Sequence, residues 1–143
     1  MPTCTNPTRF AFYGRTAAEQ LGARTARDRQ LAHAALLIER VGGTVVTEYF
    51  DTATTRRTPW TGRPQASRLL ARLPEPDRGF EAVVCAPESL PPGSHRATAA
   101  CFHRHNVALW LPELAGPLDP ASPTHALLLE ITAGHAGPRP SAH

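Results

Sequence analysis

Phe10-Ala11-Phe12-Tyr13-Gly14 sets the fold. The run is apolar, aromatic and too short for a helix, so it reads as a first, buried strand. A helix is expected next. Thr25 serves as its N-cap, Asp28 stands three residues on as in a capping box, and Gly42-Gly43 ends it. Leu31, Ala34, Ala35, Ile38 and Val41 supply its apolar face at helical spacing. Thr44-Val45-Val46-Thr47-Glu48-Tyr49-Phe50 is β-branched and aromatic, a second strand.

The same alternation continues towards the C-terminus. A polar, arginine-bearing loop runs from Asp51 to Arg63, and Pro64 opens a helix whose buried side is Ala66, Leu69, Leu70 and Leu73. Pro74 and Pro76 stop it. Phe80 to Cys85 is a third strand, and a Pro/Gly loop leads to Ser94, the cap of a helix reaching about His105. Val107 to Leu111 is a fourth strand, and Thr124 to about Thr132 closes the chain as a helix. Strands alternating with helices across short connections pair in parallel with right-handed crossovers. The expected fold is α/β: three αβα layers around a mainly parallel sheet of four to five strands, with residues 1–8 and 135–143 as tails. Sites in such sheets form where loops leave the carboxyl ends of strands. Here those loops are Arg15 to Gln20, Asp51 to Arg63 and Ala86 to Gly93.

Composition narrows the class. At 143 residues the chain suits one domain, and no apolar stretch approaches the ~20 residues that cross a bilayer. No secretion signal opens the sequence, so cytoplasmic residence without membrane partners is expected. Cys4, Cys85 and Cys101 are odd in number and lack CxxC spacing, which argues for reduced thiols, with Cys85 as core filler. All fifteen basic residues are arginine. GC-rich coding accounts for most of that bias, and a net charge of +3 does not by itself imply nucleic acid. His103 and His105 lie two apart and leave a helix on different sides, poor geometry for a shared metal. Trp60 and Trp110 read as packing residues.

Tyr13-Gly14-Arg15-Thr16-Ala17-Ala18-Glu19-Gln20 resembles the opening of serine recombinases of the resolvase/invertase type: tyrosine, small residue, arginine, any residue, serine, threonine, then a glutamine-containing stretch. The strand ending in Tyr49-Phe50-Asp51, its arginine-rich loop and Arg63-Pro64 match that family's strand–aspartate–loop–arginine segment. Phe80 to Val84 and Val107 to Glu113 match its third and fourth strands. Arg56-Arg57-Thr58-Pro59-Trp60, Pro76-Asp77-Arg78-Gly79-Phe80 and Leu118-Asp119-Pro120 resemble a group common in GC-rich bacteria. The likeness runs from residue 9 to about 134.

The resemblance implies site-specific DNA recombination and integration by a serine that attacks a phosphodiester, with no metal or cofactor. Arginines stabilise the charge that develops on the phosphorus oxygens. By this likeness Arg15 is the first catalytic arginine, Asp51 the loop aspartate that orients guanidiniums, and Arg63 the arginine after the mobile loop. Arg15, Arg56, Arg57 and Arg63 are the candidate contacts to DNA phosphate.

The sequence departs from the family where chemistry starts. The nucleophile position holds Ala17, and a methyl group cannot attack phosphorus. Arg15 and Ala17 would share an orientation if the strand stayed extended; Thr16 has the opposite parity and Thr25 belongs to the next segment. Ser89 stands where the family carries another arginine. Beyond Gly134 the family continues into a dimer helix and a DNA-reading module, whereas Ala136-Gly137-Pro138-Arg139-Pro140 cannot extend a helix, so both are expected to be missing. The expectation is a pseudoenzyme that binds DNA weakly, or pairs with an intact recombinase or with itself. A protein-interaction module that has left DNA, and an active enzyme with a substitute nucleophile, stay open beside it. For Arg15 and Asp51 a retained but idle site is preferred to a strand-end ion pair, whereas for Arg56, Arg57 and Arg63 a solvated loop weighs as much as phosphate contact.

Overall fold

A computed structural model describes residues 8–86, 89–91, 93–114, 116–119 and 122. Strand β1 (Arg9–Arg15) leads into helix α1 (Gln20–Arg40), then β2 (Thr44–Asp51), a 3-10 turn (Trp60–Gly62) and α2 (Pro64–Arg72). Strand β3 (Ala82–Val84), α3 (His95–His103), β4 (Ala108–Leu111) and the two-residue β5 (Gly116–Pro117) follow. The closing helix expected over Thr124 to Thr132, and Cys4, lie outside the described residues.

The sheet order is β2-β1-β3-β4-β5, parallel except for β5. Residues of β1 alternate between two cores, as strand geometry requires. Phe10 and Phe12 pack with Ala34 and Ile38 of α1, while Ala11 and Tyr13 pack with Ala66 and Leu69 of α2 and Ala99 and Phe102 of α3. The α/β architecture with helices on both faces is therefore the one that the strand–helix alternation predicts.

Several boundaries differ from the sequence reading. Helix α3 ends at His103 rather than about His105, and Ser94 stands at its N-cap position but donates its hydroxyl to Pro91 O at 2.7 Å instead of capping. Helix α1 starts at Gln20, so Thr25 lies inside it and donates its hydroxyl to Leu21 O at 3.1 Å rather than capping. This back-bond satisfies the hydroxyl within a helix, and the buried Ala23 and Ala26 anchor the added turns. Strand β3 is shorter than Phe80 to Cys85. Phe80 is buried, but its carbonyl is taken by Arg78 Nε at 2.9 Å instead of by the ladder. Trp60 and Trp110 do pack: Trp60 sits 4.5 Å from the Tyr13 ring and Trp110 meets Phe10 edge-on at 5.2 Å. Among the described residues no helix is long and apolar enough to cross a membrane.

Candidate functional site

The three loops expected to form a site converge at the carboxyl edge of the sheet. Thr16 N donates to Asp51 O at 2.9 Å, Thr54 N to Thr16 O at 3.1 Å and Ala53 N to Ala18 O at 3.2 Å. These bonds zip the segment after β1 to the segment after β2. Ala53, at φ +52°, and Gln20, at φ +55°, hold left-handed backbone without being glycine, although both are exposed.

Arg15 closes β1 and points Nη1 at Thr54 O, 2.6 Å away. Ala17 is exposed and lies in a bend past the end of the strand, so the extended geometry that would align it with Arg15 does not persist. The Thr16 hydroxyl accepts from Ala18 N at 3.2 Å.

Asp51 terminates β2 and is buried. Its carboxylate meets a need at the start of α2. Arg63 stands at the N-cap with φ −108°, ψ 125°, extended as a residue before proline is, but its guanidinium has no acceptor and cannot take the helix's free N–H groups. Asp51 supplies the cap from the neighbouring strand: Oδ1 accepts from Gln65 N at 2.8 Å and Oδ2 from Ala66 N at 2.9 Å. Oδ2 also accepts the Tyr13 hydroxyl at 2.8 Å.

Arg63 is fully buried and spends four of its five N–H donors on the chain itself. Nε reaches Thr58 O (2.8 Å), Nη1 reaches Ser89 O (2.6 Å) and Tyr13 Oη (3.1 Å), and Nη2 reaches Arg56 O (3.0 Å). Asp51 is thus joined to Arg63 through the Tyr13 hydroxyl, with no direct ion pair to it among the described residues. Burial pushes the Tyr13 hydroxyl well above its ordinary range; Asp51 adds to the rise and Arg63 opposes it.

Ser89 O also accepts Trp60 Nε1 at 3.1 Å, while the buried Ser89 Oγ finds no partner among the described residues. Arg56 is half-buried with Nε 3.3 Å from Leu90 O, and Arg57 is exposed. The geometry therefore joins Asp51, Arg63 and Ser89 tightly, sets Arg15 beside them on the loop carbonyls, and leaves Arg57 facing solvent.

Sequence reasoning missed Tyr13 as a site residue. The available signal was its phenol in an apolar run, since a buried hydroxyl requires a partner. It also missed that Ser89 acts through its carbonyl, for which the sequence carries no signal.

No protein-family model matches the chain, and no curated protein matches it at the sequence level. Solved structures do. The N-terminal catalytic domain of TP901-1 integrase is 19% identical at TM-score 0.66, covering 90% of this chain and 94% of that one. A resolvase-family site-specific recombinase from Streptococcus pneumoniae is 13% identical at TM-score 0.63, covering 90% and 87%. The C-terminal catalytic domain of ISC1926 TnpA, an IS607-like serine recombinase, is 15% identical at TM-score 0.60, covering 90% and 80%. The chain shares the fold of these recombinase catalytic domains.

Proposed function

We propose that this chain is a recombinase-type domain that has given up strand-joining chemistry and acts by holding DNA weakly or by pairing with an intact recombinase. The observation that carries this reading is Ala17, an exposed methyl in the bend after β1 where the resemblance calls for the attacking hydroxyl. The fate of the arginines supports it. Arg63 is enclosed with its donors on carbonyls of its own chain, which turns a residue suited to phosphate into a brace between loops. Arg15, Arg56 and Arg57 are left as the DNA-phosphate contacts, with Arg57 the most exposed of them. A few phosphate contacts give weak binding that falls steeply with salt.

Incubation with supercoiled DNA is expected to yield no nicks and no covalent adduct, and a gel shift that fades as salt rises and weakens in an Arg15→Ala, Arg57→Ala double variant. Nicking by the unaltered chain would overturn the reading, as would DNA affinity unchanged by that double variant. Restoring chemistry takes at least Ala17→Ser together with Ser89→Arg, scored by covalent capture of DNA.

A second reading is favoured by one atom. The Ser89 hydroxyl is buried beside Arg63 with no hydrogen-bond partner among the described residues, as a held-back nucleophile would be. Attack would form an Oγ–P bond as a P–O bond to deoxyribose breaks, the serine proton ending on the leaving oxygen. It requires the Ser89 loop to open, and it predicts an adduct lost in Ser89→Ala.

A further inference from the structure

Helix α1 lies on one face of the sheet through Ala23, Ala26, Ala34, Leu37 and Ile38, all buried. A helix packed on one side needs apolar side chains on that side only. Helix α1 carries them on the other side as well. Leu21 is 74% exposed and Leu36 65%, the most exposed large apolar side chains among the described residues. Leu21, Thr25, Asp28, Ala32 and Leu36 follow at spacings of four, three, four and four, which sets them in one stripe along the outer face, and all five are exposed. At 1.5 Å per residue the stripe runs about 22 Å.

The stripe is self-complementary about the midpoint between Asp28 and Arg29. Equal steps outward from that point reach Thr25 and Ala32, then Leu21 and Leu36. A second α1, antiparallel to the first and related to it by a two-fold axis at the midpoint, sets Leu21 against Leu36 at each end. Thr25 then meets Ala32 in the inner layers, where small side chains let the helices approach, and Asp28 meets Arg29 twice at the centre. The central groups are available for this. Arg29 has no hydrogen-bond or ion-pair partner among the described residues, and Asp28 bonds there through Oδ1 alone, to Arg27 at 2.9 Å. The Thr25 hydroxyl is already satisfied by Leu21 O, so covering it leaves no polar group stranded.

We propose that this outer face of α1 is the surface through which two copies of the chain pair as an antiparallel, two-fold dimer. A pattern that matches itself on reversal is what a second copy requires and what an unrelated partner does not. Parallel pairing would oppose Asp28 to Asp28. The face lies across α1 from the sheet and includes none of Arg15, Arg56 and Arg57, so the proposal stands apart from the DNA reading. One helix per copy makes a small contact beside the ~1,200–2,000 Å² of stable interfaces, and the dimer is accordingly weak, with a dissociation constant of about 10–100 μM.

The test is sedimentation equilibrium of the full chain from about 1 to 500 μM, where a monomer–dimer equilibrium is expected. Leu36→Glu, Asp28→Arg and Arg29→Asp should each weaken pairing about tenfold or more. All three positions are exposed, so melting of dilute protein followed by circular dichroism should stay as in the parent. Mixing the Asp28→Arg and Arg29→Asp proteins should restore pairing to about the parent's strength, because each charge then meets its opposite in the antiparallel register. A chain that stays monomeric throughout, a dimer indifferent to Leu36→Glu, or a mixture that pairs no better than either variant alone overturns the proposal. So does a monomeric chain whose same variants lose an intact recombinase or DNA, which would make that molecule the occupant of the face.

Discussion

Tyr13 is where one atom does most for this protein. Its hydroxyl accepts from Arg63 and donates to Asp51, so a buried cation and a buried anion are joined without touching. Tyr13→Phe leaves an Arg63 N–H unpaired and takes one of two donors from Asp51 Oδ2, and a loss of about 1–3 kcal/mol in urea unfolding is expected. The same burial makes folding sensitive to alkali. In the unfolded chain the phenol ionises near 10, while in the fold it holds its proton longer, so the unfolded state loses the proton first. The contribution is whole below about pH 10 and fades as pH rises beyond it. Alkaline unfolding followed by circular dichroism should show that fall in the parent and a shallower one in Tyr13→Phe. Ala53 illustrates the opposite case, a residue in a conformation that does not suit it, at φ +52°. Ala53→Gly should raise stability by about 1 kcal/mol, read as a higher urea midpoint at unchanged slope.

At the scale of elements, the joint between β2 and α2 is the informative one. Pro64 starts the helix, Arg63 at the N-cap has no acceptor to offer, and Asp51 reaches over from the end of β2 to take two of the helix's free N–H groups. Asp51→Ala is expected to cost about 2–3 kcal/mol, and amide exchange at Gln65 and Ala66 should quicken more than in the centre of the sheet. Asp51 and Pro64 were both visible in the sequence, yet their partnership was not. The reading from resemblance made Asp51 a carboxylate for guanidiniums, whereas the fold brings it two backbone amides and a phenol. The start of α1 was hidden for a related reason. Thr25 has a cap's composition, but a hydroxyl can also bond back along a helix, and tertiary burial of Ala23 and Ala26 selects that alternative.

For the whole molecule, Arg63 is the clasp that binds three segments. Its guanidinium takes carbonyls from the loop after β2 and from the loop after β3, and the phenol from β1. Lysine keeps the charge but not the planar fork, so Arg63→Lys should lower stability by about 3 kcal/mol or more and expose residues 54–62 to limited proteolysis before the rest unfolds. The sequence by itself determined the architecture, since alternating apolar strands and amphipathic helices on short connections can close in few ways, and local patterns record that alternation. It also determined that Ala17 offers no hydroxyl, because a side chain's chemistry does not depend on its surroundings. Only the tertiary structure decided what the arginines face. Whether a guanidinium meets solvent or a ring of carbonyls depends on where distant loops come to rest, and those positions follow from packing across the sheet rather than from any run of neighbouring residues.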